Sequence, residues 1–263
     1  MKIREITNYI EELAPLQYAE DFDNVGLLVG NYNTKVSGVL VALDTLEDTI
    51  DEAIEKKCNL IISFHPIIFS GLKKLNGNTY VERVVLKAIK HDIAIYATHT
   101  ALDNVKKGVS GKICEVLGLE NTQTLIPKTN LESKETIGLG MIGEFKEAMK
   151  ENDFLQLVKT KMKTDCIRHS EYLNKPIKKV AVLGGSGSFA IQNAIYSKAD
   201  AYISADFKYH DFFKSEKKIL LTDIGHYESE QFTKNLLVEY LTKKFTNFAI
   251  ILSEKSTNPI YYS

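Results

Sequence analysis

The chain has 263 residues, 44% hydrophobic and 25% charged, with a formal net charge of -1. That length and apolar content suit one large or two small globular domains with an ample core. The near-zero charge excludes the electrostatic footprint of a protein that binds nucleic acid or an acidic membrane surface.

From Met1 to Leu13, Ile3, Ile6, Ile10 and Leu13 recur at helical spacing, which predicts an amphipathic helix rather than a signal peptide. Strands and helices then alternate: strand Val36 to Asp44, helix Glu47 to Lys56, strand Asn59 to Phe64, helix Asn78 to His91. A strand before His99 and a helix from Gly108 to Leu117 follow. The polar segment Leu119 to Glu135, with Pro127, reads as a connection, then a strand from Ile137 to Phe145 and a helix from Asp153 to Lys163. A second series has strands at Lys178 to Leu183, Ala201 to Ser204 and Ile219 to Ile224. Its helices span Ser188 to Lys198, Phe207 to Ser215 and Gln231 to Lys244, and Phe248 to Leu252 is a last strand. Strands separated by helices predict right-handed crossovers and largely parallel sheets.

The two series look like copies. Val41 to Asp44 precedes Leu60 to Ser63 by about the interval that separates Ala181 to Gly184 from Ala201 to Ser204. The predicted fold is therefore α/β, with two similar halves, residues 1–125 and 126–263, whose mixed, largely parallel sheets face each other across a metal-binding cleft. No apolar run approaches membrane-spanning length. Cys58, Cys114 and Cys166 are far apart and form no Cys-x-x-Cys pair, which argues for a reduced compartment, the cytoplasm, and against a thiolate zinc site.

Four polar residues follow β-branched or aliphatic runs: His65, Asp103, His226 and Glu230. Residues at the carboxyl ends of strands in open α/β sheets line ligand sites. A helix opening at Gly225 would put His226 and Glu230 on one face. Imidazoles and carboxylates without thiolates suit a hydrolytic or redox metal site, and such an ion can lower the pKa of a bound water towards ~7. Each residue also has a plainer reading. His65 could cap a strand, Asp103 and Asn104 could form a turn, and His226 with Glu230 could be a solvated helical pair. His91 and His169, in charged surroundings, read as surface residues.

Asp23-Asn24-Val25-Gly26-Leu27-Leu28-Val29-Gly30, His65-Pro66-Ile67-Ile68-Phe69, His99-Thr100-Ala101-Leu102-Asp103, Asp206-Phe207-Lys208-Tyr209-His210 and Gly225-His226-Tyr227-Glu228-Ser229-Glu230 occur in that order. Together they resemble the NGG-interacting-factor-three-like family, often labelled GTP cyclohydrolase 1 type 2 homologues. The resemblance implies a dinuclear centre of divalent ions (Zn, Mn, Fe or Ni, one or two per chain) between two α/β halves, and a homohexameric ring. It carries the first metal onto His65, Asp103 and Glu230, and the second onto His226 with Glu230 bridging. The first histidine of the family's His-His-Pro motif is Phe64 here, which cannot ligate, so the second position should be weaker. His99 is the nearest replacement, and Asp23, Asn24, Asp206 and His210 are further site-lining candidates. The short stretch from Leu125 to Ile137 implies that the extra domain of longer relatives is missing.

Gly185-Ser186-Gly187-Ser188-Phe189-Ala190 fits G-x-G-x-x-A between a strand and a helix, with Asp206 about twenty residues on. Gly185, Gly187 and Ser188 could cradle a phosphate at a helix start, or the turn could serve packing alone. The expected activity is metal-dependent hydrolysis of a nucleotide or other phosphorylated small molecule. The opposing expectation is a non-catalytic ring that carries metal or docks partners.

Overall fold

The computed structural model describes residues 1–128 and 136–263. In chain order the first elements are α1 (Ile3–Leu13), β1 (Gly26–Val29), β2 (Val39–Ala42), α2 (Glu47–Glu55), β3 (Leu60–Ser63), α3 (Tyr80–Lys90), β4 (Ala94–Ala97), α4 (His99–Asp103) and α5 (Val109–Leu117). Then come β5 (Glu120–Lys128), β6 (Ile137–Met149), α6 (Glu151–Met162), β7 (Arg168–His169), β8 (Ile177–Ser186), α7 (Ile191–Tyr196), β9 (Ala201–Ala205) and β10 (Leu220–Asp223). The chain closes with α8 (His226–Glu230), α9 (Thr233–Lys244) and β11 (Ile250–Leu252). Among the described residues no helix is long and apolar enough to cross a membrane.

Two compact units result: Met1–Leu102 with Thr233–Pro259, and Asp103–Phe232 with Ile260–Ser263. The first holds a sheet of order β1-β4-β3-β2-β11. Its strands run parallel except β1, which lies antiparallel to β4. Leu40, Ile61 and Ile95 face Ile50 and Ala53 of α2 and Val84 and Ala88 of α3 in one core. Ile6 and Ile10 of α1 and Leu237 and Leu241 of α9 are fully buried, so the amphipathic spacing read at the amino terminus does the packing it implies. The last strand, expected after a long helix, joins this first sheet beside β2.

The second unit has a sheet of order β5-β6-β8-β9-β10-β7. Pairs β8–β9 and β9–β10 are parallel, and the outer pairs are antiparallel. Alternation along β8 divides two cores: Val180 and Val182 pack with Phe154 and Val158 of α6, while Ala181 and Leu183 pack with Ile191 and Ala194 of α7. Both faces are covered, which is why these strands read as continuous apolar runs.

Three expectations are corrected here. The segment read as a connection is in part the edge strand β5, up to Lys128, paired with β6; residues 129–135 of that expectation lie outside the described ones. It escaped notice because only Leu125 of β5 is buried, and Pro127 is tolerated on an edge. The helix expected over Phe207 to Ser215 is a 3-10 helix, Tyr209–Ser215. The helix expected from Ser188 is a 3-10 turn, Ser188–Ala190, followed by the six-residue α7.

Candidate metal centre

In the first unit, parallel register sets Ala42 beside Ser63 at the ends of β2 and β3. Two residues further along each chain stand Asp44 and His65, and His65 Nδ1 lies 2.8 Å from Asp44 Oδ1. Thr257 Oγ1 donates to the other oxygen of Asp44. Beyond β4, His99 opens α4 with φ at +27°, a conformation that costs a side-chain-bearing residue on the order of 1 kcal/mol. Its amide donates to Phe64 O at 2.9 Å, and its Nδ1 lies 2.8 Å from Asp23 Oδ1. The other oxygen of Asp23 accepts from the amide and the hydroxyl of Thr100.

Phe64 is fully buried. Its ring tilts against His65 at 4.8 Å and meets His99 edge-on at 5.5 Å, while the two imidazoles lie 5.4 Å apart. The phenyl group is thus a packing wall for both histidines. Asn24, expected to line a site, donates its side-chain amide to Ile68 O at 2.5 Å. Asp103 closes α4, one helical turn beyond His99.

In the second unit, Ser204 pairs with Asp223 at the ends of β9 and β10. Asp206 follows β9, and Gly225, at φ +90°, turns the chain into α8, which His226 opens. His226 Nδ1 is 2.7 Å from Asp206 Oδ2, and its Nε2 is 3.2 Å from Glu230 Oε2. The spacing of four therefore does bring imidazole and carboxylate together on one face. Glu230 is only 4% exposed. Burial of His226 would lower its pKa, but hydrogen bonds and charge from Asp206 and Glu230 outweigh that and push it up to about 11. The His226 hydrogen bond in turn holds Asp206 below the usual carboxylate range.

Gly184 and Gly185 make room for that carboxylate. A Cβ on Gly185, whose φ is +68°, would come within 2.4 Å of Glu230 Oε1, and one on Gly184 within 3.5 Å of Glu230 Cγ. The amide of Gly185 donates to Ser229 Oγ at 2.8 Å, and that of Gly187 to Ala205 O at 3.3 Å. A Cβ on Gly187 would sit 2.0 Å from Ser204 Oγ. The structure thus uses the glycine turn for close packing and for seating Glu230. Ser188 opens the 3-10 turn before α7. His210 packs its ring against Tyr209 at 5.2 Å and Phe213 at 6.0 Å.

Local sequence patterns do not single out Asp44, Thr257, Thr100 or Ser186, whose hydroxyl donates to Asp206. The repeat in the sequence sets Val41–Asp44 against Ala181–Gly184 and so does not mark Asp44; only the structure shows that Asp44 follows β2 as Asp206 follows β9. Asp23 tests this kind of anchoring without any metal. Burial would raise its pKa, yet hydrogen bonds from His99 and Thr100 outweigh burial and lower it to about 2. A lowered carboxyl pKa contributes stability above its unfolded value and loses it as pH falls through the folded one, here between about 4 and 2. Asp23→Asn should cost about 2 kcal/mol at pH 6, and urea midpoints of variant and wild type should converge as the pH drops from 4 towards 2. A gap independent of pH would contradict this.

A two-unit α/β protein carrying a His/Glu pair with a buried carboxylate, which could hold a divalent ion, is the class that these features define. The chain belongs to the Duf34/NIF3 (NGG1p interacting factor 3) family, whose model matches residues 1–259. It is 34% identical over 266 residues to a GTP cyclohydrolase 1 type 2 homolog of Clostridium acetobutylicum, spanning 98% of each chain. A Streptococcus pneumoniae protein of the same name is 34% identical, with 100% of both chains covered. Among solved structures, a Bacillus cereus protein related to NIF3 superposes with a TM-score of 0.93 at 26% identity, covering 100% of this chain and 99% of that one. Staphylococcus aureus protein SA1388 gives 0.91 at 30% identity, covering 100% and 99%.

Proposed function

We propose that this chain binds divalent metal through His65, Asp103, His226 and Glu230 and uses it to hydrolyse a nucleotide or another phosphorylated small molecule. The observation that carries the reading is the His226–Glu230 pair, an imidazole nitrogen and a buried carboxylate oxygen 3.2 Å apart. The residue types fit a metal: imidazoles and carboxylates without thiolate suit Zn, Mn, Fe or Ni in a site with open positions. Within the second unit, His226 and Glu230 could contribute ligands to such an ion, and the glycine at 185 leaves the space that the Glu230 carboxylate fills. A bound divalent ion would supply Lewis acidity towards a carbonyl or phosphoryl oxygen. The chain's own part is to hold the imidazoles and Glu230 in place around it.

One observation favours a carrier that exchanges its metal. Phe64 stands where the family resemblance implies a second histidine, and a fully buried phenyl ring donates nothing. Titration of metal-free protein with Mn²⁺ or Zn²⁺ should therefore show one equivalent per chain, or two clearly separated affinities, and Phe64→His should strengthen only the weaker. Two equal, tight sites in the wild type would reject the inequality. Turnover of GTP or a phosphoester by the metal-loaded protein supports the enzyme. Inertness on such a panel, with transfer of metal to an apo-protein acceptor, would replace it with the carrier.

A further inference from the structure

Three of the chain's six histidines share one arrangement. His65, His99 and His226 each set Nδ1 against an aspartate, Asp44 at 2.8 Å, Asp23 at 2.8 Å and Asp206 at 2.7 Å. Behind each aspartate stands a hydroxyl donor: Thr257, Thr100 and Ser186. The arrangement recurs by construction in both units. The aspartate follows one parallel strand and the histidine the next, at sequence separations of 21 and 20 residues. The other histidines are placed differently: His169 Nδ1, for example, meets the carbonyl of Ser170 at 2.7 Å.

An ionised carboxylate can only accept, so each of these Nδ1 atoms carries the hydrogen. In a neutral ring the lone pair is then on Nε2, the reverse of the tautomer that prevails for imidazole side chains in water. Metal-ligating histidines are commonly oriented by such a carboxylate on their far nitrogen.

Resting on the metal-binding function proposed above, we infer that Asp44, Asp23 and Asp206 are positioning residues. Asp44 fixes His65 in the orientation and tautomer that present Nε2 to a divalent cation, Asp23 holds His99 in the same form, and Asp206 orients His226, whose Nε2 proton that cation would displace. The paired hydroxyls hold the carboxylates in turn. At Asp44 the division of labour is clean, because one oxygen faces His65 and the other faces Thr257.

Asp44→Asn keeps the shape but can turn an NH₂ towards His65, driving the ring hydrogen to Nε2. A comparable aspartate-to-asparagine exchange in a catalytic triad acts through the wrong tautomer. The test reads ring tautomers by long-range ¹H–¹⁵N NMR on metal-free protein, and Zn²⁺ affinity by competition with a chromophoric chelator. Metal-free wild type should show His65 as the Nδ1–H form. Asp44→Asn should shift it to Nε2–H and weaken Zn²⁺ binding by about 10–100-fold, with Asp44→Glu recovering part of the loss. His65 as the Nε2–H form in the wild type would overturn the inference even if Asp44→Asn fails to fold. Unchanged Zn²⁺ affinity in a folded Asp44→Asn would do so as well. A wild type that shows the Nδ1–H form yet binds no Zn²⁺ would sink the metal-binding reading and not the tautomer assignment.

Discussion

Glu230→Ala is expected to reduce bound metal to background by elemental analysis and to weaken Zn²⁺ or Mn²⁺ binding by at least about 100-fold. The carboxylate is the most buried of the candidate donors in its unit, 4% exposed, and a buried carboxylate is retained only where a positive partner offsets its desolvation. In the metal-free chain that partner is His226, whose pKa stands at about 11 between Glu230 and Asp206. A divalent ion would take over the role of that proton with twice the charge, so deleting Glu230 removes a negative charge that such an ion would face at close range. Alanine also leaves a cavity, and Glu230→Gln separates the two effects by keeping the shape and losing the charge. Both variants should lose metal, with glutamine preserving the thermal transition of the metal-free protein more closely. Full metal content in Glu230→Gln would show that Glu230 is not a ligand.

Much of this organisation is legible in the sequence because strand ends and apolar runs are local signals. Buried strands such as Leu60–Ser63 and Ala201–Ala205 are continuous apolar runs that need no periodicity to be seen. The site candidates His65, His226 and Glu230 stood out because each follows such a run. Strand β5 did not, since an edge strand with one buried residue carries almost no apolar pattern. The short 3-10 segments look helical in the sequence because their apolar spacing is similar over one or two turns.

The supporting residues are harder to read for a different reason. Asp44 and Thr257 are 213 positions apart and meet only because β11 returns to lie beside β2. Asp23 reaches His99 across 76 positions. No periodicity encodes such pairs, and the repeat between the two series sets Asp44 against Gly184 rather than against Asp206. Glycine spacing leaves two readings open. The pattern from Gly185 to Ala190 matches a phosphate cradle, but the same residues satisfy a demand for space around Glu230, Ser204 and Tyr202.

That demand makes Gly185→Ala the sharpest probe of the centre. At φ +68° an alanine costs about 1–2 kcal/mol of backbone strain, which the fold should survive. The new methyl would lie 2.4 Å from Glu230 Oε1 and 3.4 Å from His226 Cε1. A glutamate side chain moves more easily than a strand, so the carboxylate should swing aside while β8 stays in place. Metal geometry tolerates displacements of only about half an ångström, and a roughly 10–100-fold loss of metal affinity should follow, comparable to losing a supporting contact. Gly187→Ala is the contrasting control. Its methyl would meet buried Ser204 and Tyr202 at 2.0 and 2.5 Å, so it should cost about 1–3 kcal/mol of stability by overpacking and leave the Glu230 carboxylate where it is. Isothermal titration with Zn²⁺ and urea unfolding on both variants separate the two effects. Wild-type affinity in Gly185→Ala would mean that Glu230 does not bind metal from the position it holds here.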